Sequence, residues 1–283
     1  MKVSLILATY GRAEELARAV DSFLAQTDRS FELIVVDQNP DERLLPHVQK
    51  AQQGGLDVRH VRMDKPGLSA ARNRGIELAQ HEILAFPDDD CWYEPQAVEQ
   101  VRRAFLADPA LRGAIGCWVE QAGAAAPMQA YLLDYAAWRQ FRGGHASSIS
   151  LFFDRVLFQS LGGFDERLGV GQWYGAAEEI DFILRALATG ARMRYCPEVR
   201  VHHAYALRPT GSFNSICGQA RRRSRGTGAL YAKHNLPAYV VLRGLLAPVV
   251  SALPRLSPAQ IGRGLFTSLG RVEGYLRWKS WES

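Results

Sequence analysis

Two segments near the start of the chain, Val3 to Thr9 and Glu32 to Asp37, are rich in β-formers along their whole length, as strands covered on both faces must be. Between them, Leu16, Ala19, Val20, Phe23 and Leu24 recur at helical spacing within residues 13–25, and Glu14 and Glu15 sit where a helix N-terminus favours acids. A third strand over Val58 to Met63, a helix over Ser69 to Gln80 and a fourth strand over Glu82 to Pro87 continue the alternation. Strands that alternate with helices in this way predict an α/β fold. Its central sheet should be open and mainly parallel, flanked by helices and joined by right-handed crossovers. Such sheets bind ligands in the crevice at the carboxyl ends of their strands.

Beyond residue 91 the alternation loosens. A helix is expected near 95–107 and a strand at 113–119, followed by an Ala- and aromatic-rich stretch to about 141. Gly143-Gly144 opens a loop before a strand over Ser148 to Phe153; residues 178–189 read as helix and 193–202 as extended. With 47% apolar and 22% charged residues the chain is too apolar for disorder. It has no uninterrupted apolar run of about 18 residues, and its first apolar run is too short for a signal peptide. The four cysteines show no Cys-x-x-Cys spacing, so a reducing cytoplasm is the simplest setting. Charge is uneven. Residues 204–283 carry twelve Lys or Arg against two acids, a net of +10, which leaves an acidic body of net −5 ahead of a basic tail. A basic tail suits a polyanion: nucleic acid, anionic lipid or a phosphorylated substrate.

The sharpest local feature is Asp88-Asp89-Asp90, directly after the fourth strand. Three adjacent carboxylates repel one another unless a cation is near, and Mg²⁺ pairs such oxygens with substrate phosphates. A helix cap accounts for one of them, not three. Asp37 ends the second strand, so it faces either the same crevice or a simple turn at Asn39-Pro40. Glu178, Glu179 and Asp181 open a helix; Glu178 answers the helix dipole, while Glu179 or Asp181 would serve as a general base if aimed into a cleft. His202-His203 is either a packed pair or, with the acids, one imidazole of a metal shell. Arg221-Arg222-Arg223-Ser-Arg225-Gly-Thr-Gly228 combines charge with flexible backbone, which suits a loop closing over phosphates, a solvated basic run or a nucleic-acid contact. A Walker loop, a Gly-x-Gly-x-x-Gly turn after the first strand and a Gly-x-Ser-x-Gly elbow are absent.

Seven stretches in order carry a likeness. They are Leu5-Ile-Leu-Ala-Thr-Tyr-Gly-Arg12, Glu32-Leu-Ile-Val-Val-Asp37, Gly67-Leu-Ser-Ala-Ala-Arg72-Asn73-Arg-Gly75 and Phe86-Pro-Asp-Asp-Asp90, then Gly162-Gly-Phe-Asp165-Glu-Arg-Leu-Gly169, Glu178-Glu-Ile-Asp181 and Pro197-Glu-Val-Arg-Val-His-His203. Over roughly residues 1–235 the chain resembles glycosyltransferase family 2, inverting enzymes of the GT-A fold. The resemblance implies a GT-A domain over 1–235, with residues 236–283 as a helical appendage. It implies a nucleotide-diphosphate sugar as donor, Mg²⁺ or Mn²⁺ as cofactor and a glycan or lipid-linked acceptor, in the assembly of bacterial surface glycans or glycolipids.

By the same resemblance, Thr9, Tyr10 and Asp37 belong to the nucleobase end, and Arg72 lies near the nucleotide. Asp88 and Asp90 are the acids of an Asp-x-Asp motif, with Asp89 between them and Asp90 ahead of Asp88 as direct metal ligand. His203 assists the metal or diphosphate, and Arg225 belongs to a mobile basic loop over the diphosphate. Glu179 is the base that takes the acceptor proton, with Asp181 second; Trp173 and Tyr174 are placed on the acceptor side from position alone. Two departures stand out: the chain has Glu178-Glu179 where members usually read Glu-Asp, and Asp37-Gln38-Asn39-Pro40 where Asp-Asp or Asp-Asn precedes Gly-Ser.

Two other classes use the same residues. A metal-dependent nucleotidyltransferase or phosphohydrolase would release pyrophosphate or a monophosphate, and a non-catalytic protein would grip a polyanion with its tail. The acidic body and the apolar residues of the tail argue against nucleic acid. They favour either interfacial helices on an anionic membrane, with the protein peripheral at its cytoplasmic face, or a cap packed on protein.

Overall fold

The computed structural model describes residues 1–122, 129–144, 146–203, 211–253 and 257–282. Part of the Ala-rich stretch, residues 123–128, therefore lies outside the described residues. The chain begins as the periodicity predicts: β1 (Val3–Thr9), α1 (Glu14–Leu24), β2 (Phe31–Asp37), α2 (Leu45–Gln53), β3 (Asp57–Arg62), α3 (Leu68–Leu78) and β4 (Ile83–Ala85). Then follow β5 (Cys91–Tyr93), α4 (Ala97–Ala107), β6 (Leu111–Trp118), α5 (Val119–Ala122), β7 (Tyr131–Leu132) and α6 (Tyr135–Arg139). A 3₁₀ turn over Ser148–Ser150 leads into β8 (Leu151–Asp154), α7 (Arg155–Ser160), α8 (Glu178–Ala188) and β9 (Arg192–His203). Three helices close the chain: α9 (Phe213–Lys233), α10 (Ala238–Val250) and α11 (Pro258–Glu282).

The strands form one sheet in the order β3-β2-β1-β4-β8-β6-β9-β5, with β7 beside β9. The first four strands pair in parallel, as expected. The second half is mixed: β8 runs antiparallel to both β4 and β6, and β9 is antiparallel to β5 but parallel to β6. A mainly parallel sheet thus holds only for the N-terminal half, because β8 enters antiparallel between β4 and β6.

Alternation along β1 divides the core. Leu5 and Leu7 face Leu16, Val20 and Phe23 of α1, whereas Ile6 and Ala8 face Ala71 and Ile76 of α3. Each such fully buried Leu, Ile or Phe contributes about 1.5–3 kcal/mol. Helix α3 lies tight on the sheet because Gly75 has no Cβ: one built there would stand 2.3 Å from Ile6 Cγ2. This close approach sets Arg72, one turn earlier in α3, beside the carboxyl ends of β1 and β4.

The segment Arg221–Gly228, expected as a loop, is helix throughout. Its glycines serve packing instead of mobility. A Cβ on Gly228 would stand 1.9 Å from the Arg271 carbonyl oxygen of α11, and one on Gly274 would stand 1.9 Å from that of Arg225. Helices α9 and α11 therefore touch backbone to backbone. The helix α10 runs antiparallel to α11, with Ser268 Oγ donating to Leu245 O at 2.6 Å and Gly264 against the Pro248 carbonyl. No helix among the described residues is long and apolar enough to cross a membrane.

Ala ordinarily stabilises a helix interior over Gly by about 1 kcal/mol. At Gly228 the opposite sign is expected: Gly228→Ala should lower stability by about 1–3 kcal/mol through overpacking. Gly218→Ala in the same helix, whose Cβ would meet only the tip of Arg222 at 3.4 Å, should raise it by about 0.5–1 kcal/mol. Urea unfolding of the two variants reads both signs.

Candidate active site

At the carboxyl end of β4 the backbone continues beside β1, with Asp88 bridging to Ala8. This places Asp88, Asp89 and Asp90 on the wall of a pocket of about 370 Å³ that also takes in Tyr10, Arg12, Gln38, Gly67, His203 and Arg223. A larger open groove of about 580 Å³ runs past Arg112, Asp154 and Arg192. It lies at the amino end of β4, where Ile83 faces Asp154, so the topology points to the smaller, acidic pocket as the site.

The three aspartates have three different environments. Asp89 accepts from Thr9 Oγ1 at 2.6 Å and from Arg12 Nη1 at 2.7 Å. Burial still pushes its carboxyl above the usual range, because Thr9 and Arg12 only partly oppose it. Asp90 lies 3.0 Å from His203 Nε2 and also meets Arg12. Burial would raise its pKa, but His203 and Arg12 outweigh burial and hold it low. The Asp90 contact raises the His203 pKa against the opposing effect of burial. Asp88 keeps the most open carboxylate of the three, 29% exposed, with Oδ1 bound to Arg72 Nη2 at 2.6 Å.

Arg72 is fully buried. Its guanidinium joins Asp88 to Glu178 Oε1 at 2.9 Å and to Ser148 Oγ at 2.8 Å. Burial works against its charge, and Asp88, Glu178 and Glu179 more than restore it. Glu178 is therefore not merely an acid answering the α8 dipole: it is the counter-ion of Arg72. Glu179 stands next to it, partly open to solvent but with its carboxyl deeply set. Desolvation, and then the Glu178 charge, push it up to about 8. The turn that presents both acids is strained at Ala177, which takes φ of +86°. A non-glycine residue there costs about 1–3 kcal/mol, a sign of a conformation imposed by its surroundings.

Other expected residues lie elsewhere. Asp181 does not reach the pocket; it is fully buried between Arg185, Lys233 and His234, at 2.8–2.9 Å from each. Burial alone would raise its pKa, but His234, Lys233 and Arg185 lower it, and the cluster ties α8 to the end of α9. Arg225 is held by Glu273 at 2.9 Å and stacks 4.3 Å from the Trp173 ring, so it is fixed within the α9–α11 contact and not poised over the pocket. Arg223 is the α9 cation that lines the pocket. Trp173 is clasped between Arg225 and Arg277, and Tyr174 packs against Trp278, so both anchor α11. Asp37 is sealed: Oδ1 accepts from the Asn39 backbone and side chain, and Oδ2 lies 2.9 Å from His60 Nε2. Its neighbour Gln38 reaches the pocket and accepts from Gly67 N at 2.6 Å, while Tyr10 is 57% exposed at the same wall. Sequence reasoning missed Arg12, whose signal was the charged residue closing Thr9-Tyr10-Gly11, and Ser148, which carried none.

Residues 4–133 match the family model described as glycosyl transferase family 2. A glucosyl-dolichyl phosphate glucuronosyltransferase of Haloferax volcanii is 33% identical over 221 residues, 72% of this chain and 69% of its own. The chain belongs to glycosyltransferase family 2. An uncharacterised glycosyltransferase of Bacillus subtilis, YwdF, is 29% identical over 83% of this chain and 85% of its own. The fold of this family 2 chain is also that of mannosyltransferase PcManGT from Pyrobaculum calidifontis, solved with GDP-Man and Mn²⁺. The TM-score is 0.67 at 18% identity, over 100% of this chain and 88% of that one. S. aureus TarS (residues 1–349) with UDP-GlcNAc gives 0.61 at 15% identity, over 95% and 90%. The architecture is thus a GT-A glycosyltransferase fold carrying C-terminal helices.

Removing one partner of a buried ion pair costs about 3–5 kcal/mol, because the other charge is left uncompensated. Arg72→Met is expected to destabilise the protein on that scale by urea unfolding. Adding Glu178→Gln to Arg72→Met should recover part of the loss, since one of the two abandoned carboxylates is then neutral.

Proposed function

We propose that this glycosyltransferase is an inverting enzyme that moves a sugar from a nucleotide-diphosphate sugar to a hydroxyl of a glycan or lipid-linked acceptor, as in the assembly of surface glycans. The observation that carries the reading is the acidic pocket at the carboxyl ends of β1 and β4, where Asp88, Asp90 and His203 share one wall with Arg12 and Arg223. The glucuronosyltransferase relative is named for a dolichyl-phosphate-linked substrate, which supports a lipid-linked acceptor.

The donor set suits a hard divalent cation. Asp88 and Asp90 offer carboxylate oxygens, and His203 Nδ1 is buried without a hydrogen-bond partner. No three His, Cys, Asp or Glu groups converge among the described residues. One or two carboxylates are the protein share of a Mg²⁺ shell that substrate phosphates complete. Asp90 and Asp88 would hold it, and bound there it would neutralise charge developing on the leaving diphosphate.

The chain's own groups supply the rest. Arg12 compensates Asp89 and Asp90 in the absence of another cation, and Arg223 offers a second guanidinium to the phosphates. Tyr10 and Gln38 form the wall available to a nucleobase, with Thr9 holding Asp89 in place behind it. Arg72 fixes Asp88 from one side and Glu178 from the other, which pins the turn bearing Glu179. Glu179 then takes the acceptor hydroxyl's proton. A carboxyl with a pKa of about 8 retains that proton far better than an ordinary glutamate, as a base matched to neutral pH should. Inversion needs no covalent intermediate, so a single base suffices.

A ligand present at 100 times its dissociation constant adds about 2.7 kcal/mol of stability, or several degrees at this size. Thermal unfolding with UDP, GDP, dTDP or CMP should therefore show a rise with one nucleotide that depends on Mn²⁺ and disappears in Asp90→Asn. Absence of a shift with all four would overturn the donor site.

The Glu179 base must be deprotonated to act. Activity should thus climb about tenfold per pH unit below its pKa and level off above about 8. In Glu179→Gln, kcat should fall about 10²–10⁴-fold and that rising limb should vanish. A pH–rate profile that rises unchanged in the variant would remove Glu179 from the role.

A further inference from the structure

The helical pair α10–α11 has one face that no described residue covers. In α11, Gly264 and Ser268 meet α10, Gly270 and Gly274 meet α9, and the remaining side carries Leu265, Leu269 and Leu276, each 44–61% exposed. At 100° per residue this row lies opposite the one that touches α9, so it points away from the body of the protein. In α10 the residue turned inward is Val240, while Leu242, Leu246 and Val250 form an outward row with 52–58% exposure. The α10 row recurs at four-residue steps and the α11 row at steps of four and seven, so each keeps to one side of its helix. Isolated exposed leucines are ordinary, but two continuous rows on neighbouring helices are a patch that calls for an occupant.

Charge decides which occupant. Between residues 211 and 281 the chain has eleven Lys or Arg and one acid, Glu273. That acid is bound by Arg221 and Arg225 at the α9–α11 contact, so it does not temper the outer face. Two copies of such a surface would repel each other, whereas an anionic bilayer attracts it and accepts its apolar rows.

We infer that the outer face of α10–α11 docks on an anionic lipid bilayer, with Leu246 and Leu269 entering the headgroup–acyl boundary and the basic excess of residues 211–281 drawing the anionic surface toward it. This surface stands independently of the transfer chemistry, and its test uses no sugar donor. Each buried apolar side chain and each surface cation adds a modest increment, so binding should be peripheral and reversible.

The full chain is mixed with phosphatidylcholine vesicles containing about one-third phosphatidylglycerol and floated on a density gradient. Wild type should float, and added salt should weaken the binding. Leu246→Glu and Leu269→Glu should each reduce partitioning at least about tenfold while keeping the wild-type melting temperature. Leu106→Glu, at an equally exposed site on α4, should float like wild type. The proposal falls if wild type stays in solution or floats equally on pure phosphatidylcholine. It also falls if the two helix variants bind unchanged or Leu106→Glu is lost alike. Light scattering that shows a dimer split by Leu246→Glu would assign the face to a second copy instead.

Discussion

A guanidinium out of reach of water is tolerable only when its charge is answered from several directions, and Arg72 is such a group. Asp88, Glu178 and Ser148 surround it, drawn from three separate parts of the chain. Breaking any one contact leaves charge in a poorly solvated place, so the three segments are held in one relative position. The first acid of the aspartate run and the turn preceding Glu179 are thereby fixed to each other through a single side chain. The acidic pocket and the turn bearing Glu179 share a common pillar. Its position follows in turn from backbone packing, since α3 approaches β1 closely enough only where Gly75 presents no Cβ to Ile6.

The same logic of missing side chains governs the C-terminal half. Gly228, Gly270 and Gly274 let α9 and α11 approach to backbone contact, and Arg221 and Arg225 reach Glu273 across the resulting seam. Glycine beside arginine in a sequence suggests a flexible cationic loop. Here it marks a helix whose glycines face a partner and whose arginines divide between two tasks. Arg225 is spent on Glu273 and Trp173, while Arg223 faces the pocket. A helical periodicity cannot reveal this by itself, because the deciding partner, α11, lies about fifty residues further along the chain.

This contrast describes what was legible. The α/β rhythm of residues 1–85 and the strand-end position of the three aspartates follow from local pattern and a topology rule, the approach of His203 to the acids follows from the family resemblance, and the structure brings them together. Short or polar elements were not visible: β5 has three residues, and α2 has few apolar positions. Nor does a sequence say which acids are already taken. Asp37, Asp181 and Glu179 look alike as carboxylates at element ends. Asp37 is closed by Asn39 and His60, Asp181 by three cations, and Glu179 alone faces a like charge with its carboxyl desolvated. Which carboxylate is held ionised and which is pushed toward protonation depends on long-range partners, and those are set by the tertiary fold.

Burial and charge pull the same way at Glu179 and against each other at Asp90, and that difference gives the two carboxylates opposite protonation preferences. Asp90 stays ionised although half-enclosed, because His203 and Arg12 outweigh desolvation. Such a carboxylate suits a permanent anion that gathers cations. Glu179 has Glu178 beside it and only a shared interest in Arg72, whose charge is already committed to Asp88 and Glu178. A carboxylate in that position gains from accepting a proton, which suits the base proposed for it. Exchanging the two environments would abolish both properties without altering a single functional group. The arrangement around Arg72 therefore shapes the reactivity of the site as well as its geometry.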